Sequence, residues 1–297
     1  MTTTEGMQDG LWAWLTTPLD DAGRPDWRAV RRNLQGYGAA PLAGYVIGGA
    51  PSESSRLSPA EWRELVAVVL DEAQRPVWLV VEPTDPHSLQ DVAQYWAEQH
   101  VAGLLISAVT DDRGQVETAG LTAHWIALAE VSALPLAVMW LPVMGGPPPE
   151  VDALRSALEG GVAGIVDGSG DVTRWAEIME HAPAQASVAN GSAPSMVAVA
   201  GLGARVHVLP AAAALPFELA AVVALCGDAR WSEALSAMAA LGGVLRTMER
   251  WGPSAVKRAM DLLGYRGGPV RLPLRSASPE VQATLVDALR AARLIRF

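Results

Sequence analysis

Eight short apolar runs, separated by longer amphipathic stretches, fill about the first 210 residues and limit the folds open to this chain. They fall at 12–16, 45–48, 77–81, 103–108, 136–141, 163–166, 186–189 and 205–209. Each is continuous rather than alternating, and many are bounded by Gly or Pro, as parallel strands covered on both faces should be. The intervals carry helix signals. Ser58-Pro59-Ala60-Glu61 supplies an N-cap, a proline at the first helical position and a carboxylate three residues after the cap. Trp62, Leu65, Val66, Val69 and Leu70 then form an apolar stripe at helical spacing. Similar patterns predict helices at 85–100, 121–131, 151–158, 172–179 and 195–200. The alternation predicts an α/β fold, a (β/α)8 TIM barrel. A doubly wound open sheet is the rival, but no Gly-x-Gly-x-x-Gly turn opens a helix here. Beyond the eighth run the segments 216–226, 229–248, 254–263 and 279–294 read as helices with no strands between. The predicted organisation is a barrel over 1–226 and a C-terminal helical subdomain over 227–297.

Composition narrows the function classes. The 297 residues are 50% hydrophobic with a formal net charge of -10, which argues against a general nucleic-acid binder. A single cysteine, Cys226, leaves no intramolecular disulfide and no cysteine metal cage. The five histidines are dispersed, so no metal site is expected, and without a glycine-rich phosphate loop no cofactor is expected either. The longest apolar run, 206–226, is broken by Pro210, Pro216 and Glu218 and does not read as a membrane span. Residues 1–10 are polar and lack a basic and then apolar leader, so the expected location is cytoplasmic. Of the 22 basic residues only Lys257 is a lysine, so any chemistry that needs an amine side chain has one candidate.

Several segments, in order along nearly the whole chain, are similar to one family. Gly44-Tyr-Val-Ile-Gly-Gly-Ala-Pro-Ser-Glu53 followed by Leu57-Ser58 resembles the strand-two motif of the dihydrodipicolinate synthase / N-acetylneuraminate lyase family, G-x-x-x-x-G-T-T-G-E-x-x-x-L-S. Gly164-Ile-Val-Asp-Gly-Ser-Gly-Asp171 resembles its strand-six motif, G-x-K-D-S-S-G-D. The stretches 134–142, 203–216 and 257–273 resemble its strand-five, strand-eight and C-terminal segments. The resemblance implies the same barrel, a small-molecule substrate and a homo-oligomer, dimer or tetramer.

It also implies a chemistry that these residues lack. In the family a strand-six lysine forms a Schiff base with an α-keto acid such as pyruvate, and that position is Val166. The strand-five tyrosine falls on Met139, the motif threonines on Ala50 and Pro51, and the carboxylate-binding arginine on Met144. The strand-eight Ser and Asn fall on Leu209 and Ala213. No tyrosine lies between Tyr95 and Tyr265, so the second family tyrosine is absent under any alignment. Valine has no amine with which to form an imine. Lys257 lies where the family's own C-terminal pattern runs, which implies a structural role.

The replacements share a direction. Polar groups have become Val, Met, Ala, Pro and Leu, while Trp14, Trp78 and Trp140 lie on strands one, three and five. They predict an apolar, aromatic C-terminal mouth that binds a comparatively apolar ligand. Three groups are candidates for acid/base work: Glu82 after strand three, Asp111 after strand four and His207 on strand eight. Glu82 would serve as a base in a dry pocket, and His207 would point inward if Leu209 does. Glu53, Asp167 and Ser169 keep motif positions and read as braces of their loops. The favoured reading is a repurposed lyase-, cyclase- or rearrangement-type enzyme of secondary-metabolite biosynthesis, working without an imine. The alternatives are a catalytically inactive relative that binds a ligand or partner, and an aldolase with a rearranged site.

Overall fold

The computed structural model describes residues 6–82, 85–107, 118–142 and 147–296. Each apolar run becomes a strand, with ends shifted by up to three residues from the bounds its composition predicts. The strands are β1 (Gly10–Trp14), β2 (Leu42–Ile47), β3 (Val77–Val81), β4 (Gly103–Ser107), β5 (Leu136–Trp140), β6 (Gly164–Asp167), β7 (Ser187–Asn190) and β8 (Val206–Leu209). They close in chain order into a barrel. Seven helices alternate with them: α1 (Trp27–Tyr37), α2 (Pro59–Glu72), α3 (Pro86–Glu98), α4 (Thr118–Val131), α5 (Val151–Glu159), α6 (Val172–His181) and α7 (Met196–Gly201). After β8 come α8 (Pro216–Gly227), α9 (Trp231–Trp251), α10 (Pro253–Leu262) and α11 (Pro279–Ala291). This is a TIM barrel with C-terminal helices.

By packing, the chain divides into two compact units, one of 6–10 with 76–208 and one of 11–75 with 209–296. The predicted boundary between 226 and 227 lies at the end of α8, inside the second unit. In that unit α9 packs against α8, α10 and α11.

Local sequence accounts for the helix ends. Ser58 and Glu61 complete a reciprocal capping box on α2. Asp26, Asp85, Asp171 and Ser278 cap α1, α3, α6 and α11 with their side-chain oxygens. Helix α1 is not among the helices that hydropathy predicts, because its buried stripe contains a polar residue. Asn33 lies on that stripe, and its amide donates to the Arg266 carbonyl (2.7 Å) and accepts from the Arg266 N–H (2.9 Å). Hydropathy does not register a buried asparagine whose partners lie 233 residues away.

Ring packing fixes the facing of the strands. Tyr45 on β2 lies 6.3 Å from the ring of Tyr37 on α1, so it faces the helices. Alternation then turns Gly44 and Val46 inward, with their register partners Trp12 and Trp14. The Trp12 ring lies over Gly44, where an added Cβ would collide with it. The other unit repeats the device. Trp78 is in register with Gly103, and a Cβ there would lie 2.6 Å from the indole. Each glycine makes room for a tryptophan on the neighbouring strand.

Candidate active site

Barrel enzymes work at the C-terminal ends of their strands. In the first unit that end is built on β5, β6 and β7. Asp167 closes β6, and its carboxylate accepts a hydrogen bond from Arg174 Nε on α6 at 2.6 Å. Asp167 therefore faces the helical layer. Its neighbour Val166 faces inward, in register with Met139 on one side and Ala189 on the other. All three are buried. One step further, Met139 pairs with Ser107 at the end of β4. Ser107 is the hydroxyl group on this inward register, and it is partly exposed.

The loop after β6 is organised by Asp167, which accepts from both the N–H and the hydroxyl of Ser169 as well as from Arg174. The loop after β7 is organised by Asn190. Its Oδ1 accepts from the Ser192 N–H and the Ser195 hydroxyl, and its Nδ2 donates to the Ser192 carbonyl. The Asp167 and Asn190 side chains are thus spent within their own loops, while the buried Arg174 Nη2 has no hydrogen-bond partner among the described residues.

The second unit contributes the ends of β1 and β2. Trp14 donates its indole N–H to the Gly48 carbonyl at 2.8 Å. Ser52 Oγ accepts from the Gly48 N–H and donates to the Leu15 carbonyl, while Thr17 donates to the Ser52 carbonyl. Ala50 and Pro51 ride on this tied loop, Ala50 partly exposed and Pro51 buried. Glu53 adopts a left-handed backbone (φ 55°) and is buried. Its carboxylate accepts from the Arg271 N–H at 2.7 Å and pairs with Lys257 Nζ at 2.5 Å. Lys257 also donates to the Pro269 carbonyl at 2.8 Å. The lone lysine is 1% exposed, and burial lowers its pKa against the opposing pull of Glu53.

Several predicted site residues take other places. Trp78 is the second residue of β3 and faces inward near the N-terminal end of its strand, not at the mouth, because it fills the space above Gly103. Trp140 ends β5 in register with Asp167, so it faces the helical layer rather than a ligand. Glu82 follows β3 and is exposed, so the dry surroundings expected to activate it are missing. His207 does not point into the barrel. It is in register with Asn190, and Asn190 with Asp167, on the helix-facing side. Its Nδ1 lies 3.3 Å from Asn190 Nδ2. Burial lowers its pKa to about 4. Leu209, two residues on, shares that facing and is buried, as is Ala213. The Ala213 carbonyl accepts from the Tyr37 hydroxyl at 2.6 Å. Asp111 and Met144 lie outside the described residues. Trp14, Met139 and Val166 remain inward-facing on the strands. Sequence reasoning passed over Ser107, which carried no signal beyond its place at a strand end.

Known proteins match this chain over nearly its whole length. The 4-hydroxy-tetrahydrodipicolinate synthase of Methanosarcina mazei is 26% identical over 289 residues, covering 96% of this chain and 98% of that protein. The protein of the same name from Methanothrix thermoacetophila is 28% identical over 284 residues, covering 94% and 95%. Among solved structures, the 4-hydroxy-tetrahydrodipicolinate synthase of Methylacidiphilum fumariolicum SolV superposes with a TM-score of 0.87 at 23% identity, covering 96% of each chain. Dihydrodipicolinate synthase from Aquifex aeolicus gives 0.88 at 19% identity, covering 97% and 99%. At these identities the structures establish the fold. With the sequence profile of the dihydrodipicolinate synthetase family matching residues 7–292, this chain belongs to that family.

Proposed function

We propose that this chain is a lyase-type enzyme of the dihydrodipicolinate synthetase family that works without a Schiff base, on a biosynthetic intermediate more apolar than a keto acid. The observation that carries this reading is Val166. It is a fully buried aliphatic residue, facing inward between Met139 and Ala189, and the motif resemblance aligns it with the family's lysine. The one lysine in the sequence supports the same conclusion, because its ammonium is buried against Glu53 and the Pro269 carbonyl. Neither residue offers a free amine to a carbonyl substrate. Within the first unit the inward positions Met139, Val166 and Ala189 suit an apolar ligand, with the Ser107 hydroxyl as a polar handle. Rate enhancement would rest on holding the substrate in a reactive geometry, with acid/base help from groups at the mouth. A homo-oligomer is the assembly in keeping with the family.

The experiment is borohydride trapping. The purified protein is incubated with pyruvate and reductant, and its intact mass is measured beside a family member that has the strand-six lysine. The expected result is an adduct on the control and none on this chain. An adduct mapped to Lys257 would overturn the imine-free reading and restore an aldolase with a rearranged site.

A second reading, a ligand-binding protein without catalysis, is favoured by the exposure of Glu82 and the helix-facing orientation of His207. Native mass spectrometry of the protein as purified addresses it. A co-purifying small molecule returned unchanged after incubation supports binding alone, whereas a converted one supports the enzyme.

A further inference from the structure

In the second unit, three segments far from the C-terminus in sequence meet on one side chain, that of Arg271 in the stretch between α10 and α11. Its Nε and Nη2 donate to the Gly23 carbonyl, in the loop after β1, at 3.1 and 2.7 Å. Nη1 donates to the Arg56 carbonyl, in the loop after β2, at 2.7 Å. Nη1 and Nη2 also grip the Glu61 carboxylate in the first turn of α2, at 2.9 and 2.8 Å. With its own backbone N–H on Glu53, every nitrogen of Arg271 has an acceptor. Hydrogen bonding to Arg271, helped by the Ser58 N–H, holds the Glu61 carboxyl down at about 2, so the fork stays charged on both sides at ordinary pH.

The stretch that carries Arg271 is itself closely seated. An added Cβ on Gly267 would collide with the Lys257 carbonyl of α10, and one on Gly268 with the Leu19 carbonyl of the loop after β1. Gly268 also has a left-handed backbone, φ 69°. Asp261, near the end of α10, accepts from both glycine N–H groups, at 2.8 and 3.3 Å.

The two halves of the loop after β2 differ in what holds them. The first half is tied to the end of β1 and the residues after it by Trp14, Ser52 and Thr17. The second half begins at Glu53, whose left-handed backbone (φ 55°) is unfavourable for a residue with a Cβ and persists where the surroundings impose it. The groups that impose it come from elsewhere in the chain. Lys257 and the Arg271 N–H hold the Glu53 carboxylate, and the Arg271 guanidinium holds the Arg56 carbonyl.

We propose that Arg271 is a positioning residue for the strand-end loops after β1 and β2, imposing from the C-terminal segment an arrangement that the second half of the β2 loop does not hold by its own sequence. That loop carries Ala50 and Pro51 at the end of the strand where barrel folds do their work. The C-terminal helices thus act on the strand ends of this unit through one guanidinium. The inference does not rest on the imine-free reading.

Hydrogen–deuterium exchange of the full chain, read peptide by peptide, tests this. Arg271→Ala should speed exchange in 20–26 and 53–58 at least tenfold and leave β5 and β6 at their wild-type rates. The Arg271 side chain is 24% exposed, so millimolar ethylguanidinium can refill the vacated space and should restore protection. Ethylammonium, a cation without the fork, should not. Arg271→Lys should fall between wild type and Arg271→Ala. If Arg271→Ala fails to fold, Glu61→Gln, which keeps an acceptor for the α2 cap and removes the charge, should speed the same segments by a smaller factor. Unchanged exchange in those segments, an equal rise in β5 and β6, or loops that stay open in ethylguanidinium overturn the proposal.

Discussion

Acidification should destabilise this protein through His207, and the size of the effect follows from its surroundings. The imidazole is buried on the helix-facing side of β8, with Nδ1 3.3 Å from the Asn190 amide nitrogen. A neutral ring can accept there. A protonated one would set two donors against each other in a poorly solvated place. Burial lowers the pKa from 6.5 to about 4. Between those values the unfolded chain binds a proton that the native chain refuses. The contribution is therefore present in full above about pH 6.5 and is lost as the pH falls toward 4. A tenfold difference in proton affinity between the two states is worth about 1.4 kcal/mol, so going from pH 6.5 to about 4.5 should cost about 2 kcal/mol at this residue. His207→Gln removes the titration while keeping an acceptor within reach of Asn190. Urea unfolding of both proteins across this range should show the wild-type free energy falling more steeply, by about that amount. Parallel curves would refute the assignment and mean that the ring is solvated or already charged in the native state.

Two further outcomes follow from the packing. Glu53→Gln strands the Lys257 ammonium in a buried site, and the expected loss is about 3–5 kcal/mol in denaturant unfolding. The double change Glu53→Gln with Lys257→Met should cost clearly less than that single change, and a greater loss would contradict the pairing. Gly103→Ala should cost about 1–3 kcal/mol by crowding the Trp78 indole, with no effect on the Lys257 pair. Recovery of stability on adding Trp78→Leu checks that the crowding is the cause.

The barrel could be read from the sequence because its signal is local. Continuous apolar runs and capped helices sit in windows of ten or so residues, and each strand needs little more than its own composition to be recognised. What escaped depends on partners far along the chain. The stripe of α1 is interrupted by Asn33, which makes sense only beside Arg266. The braced loop at Glu53 was visible as a motif, yet its pairing with Lys257 spans two distant segments. The site was less legible than the fold because facing flips with every residue. Neighbours on a strand face opposite ways, so with Met139 inward Trp140 must face the helical layer, and His207 follows Asn190 to that same side instead of the interior. Trp78 shows a different failure, since it was grouped with the mouth but is the second residue of its strand, near the N-terminal end.

The enclosure of Lys257 also has a practical consequence. Its ε-amine is the only one in the sequence, and it is out of reach of solvent in the folded protein. Amine-directed reagents should therefore leave every side chain of the native molecule unmodified and mark this residue only when α10 and the Glu53 loop come apart. The rate at which a reductive-methylation label appears at Lys257 would then clock the opening of one defined region, separate from global unfolding. A chain almost devoid of lysine thus carries a single-site reporter of its own local breathing.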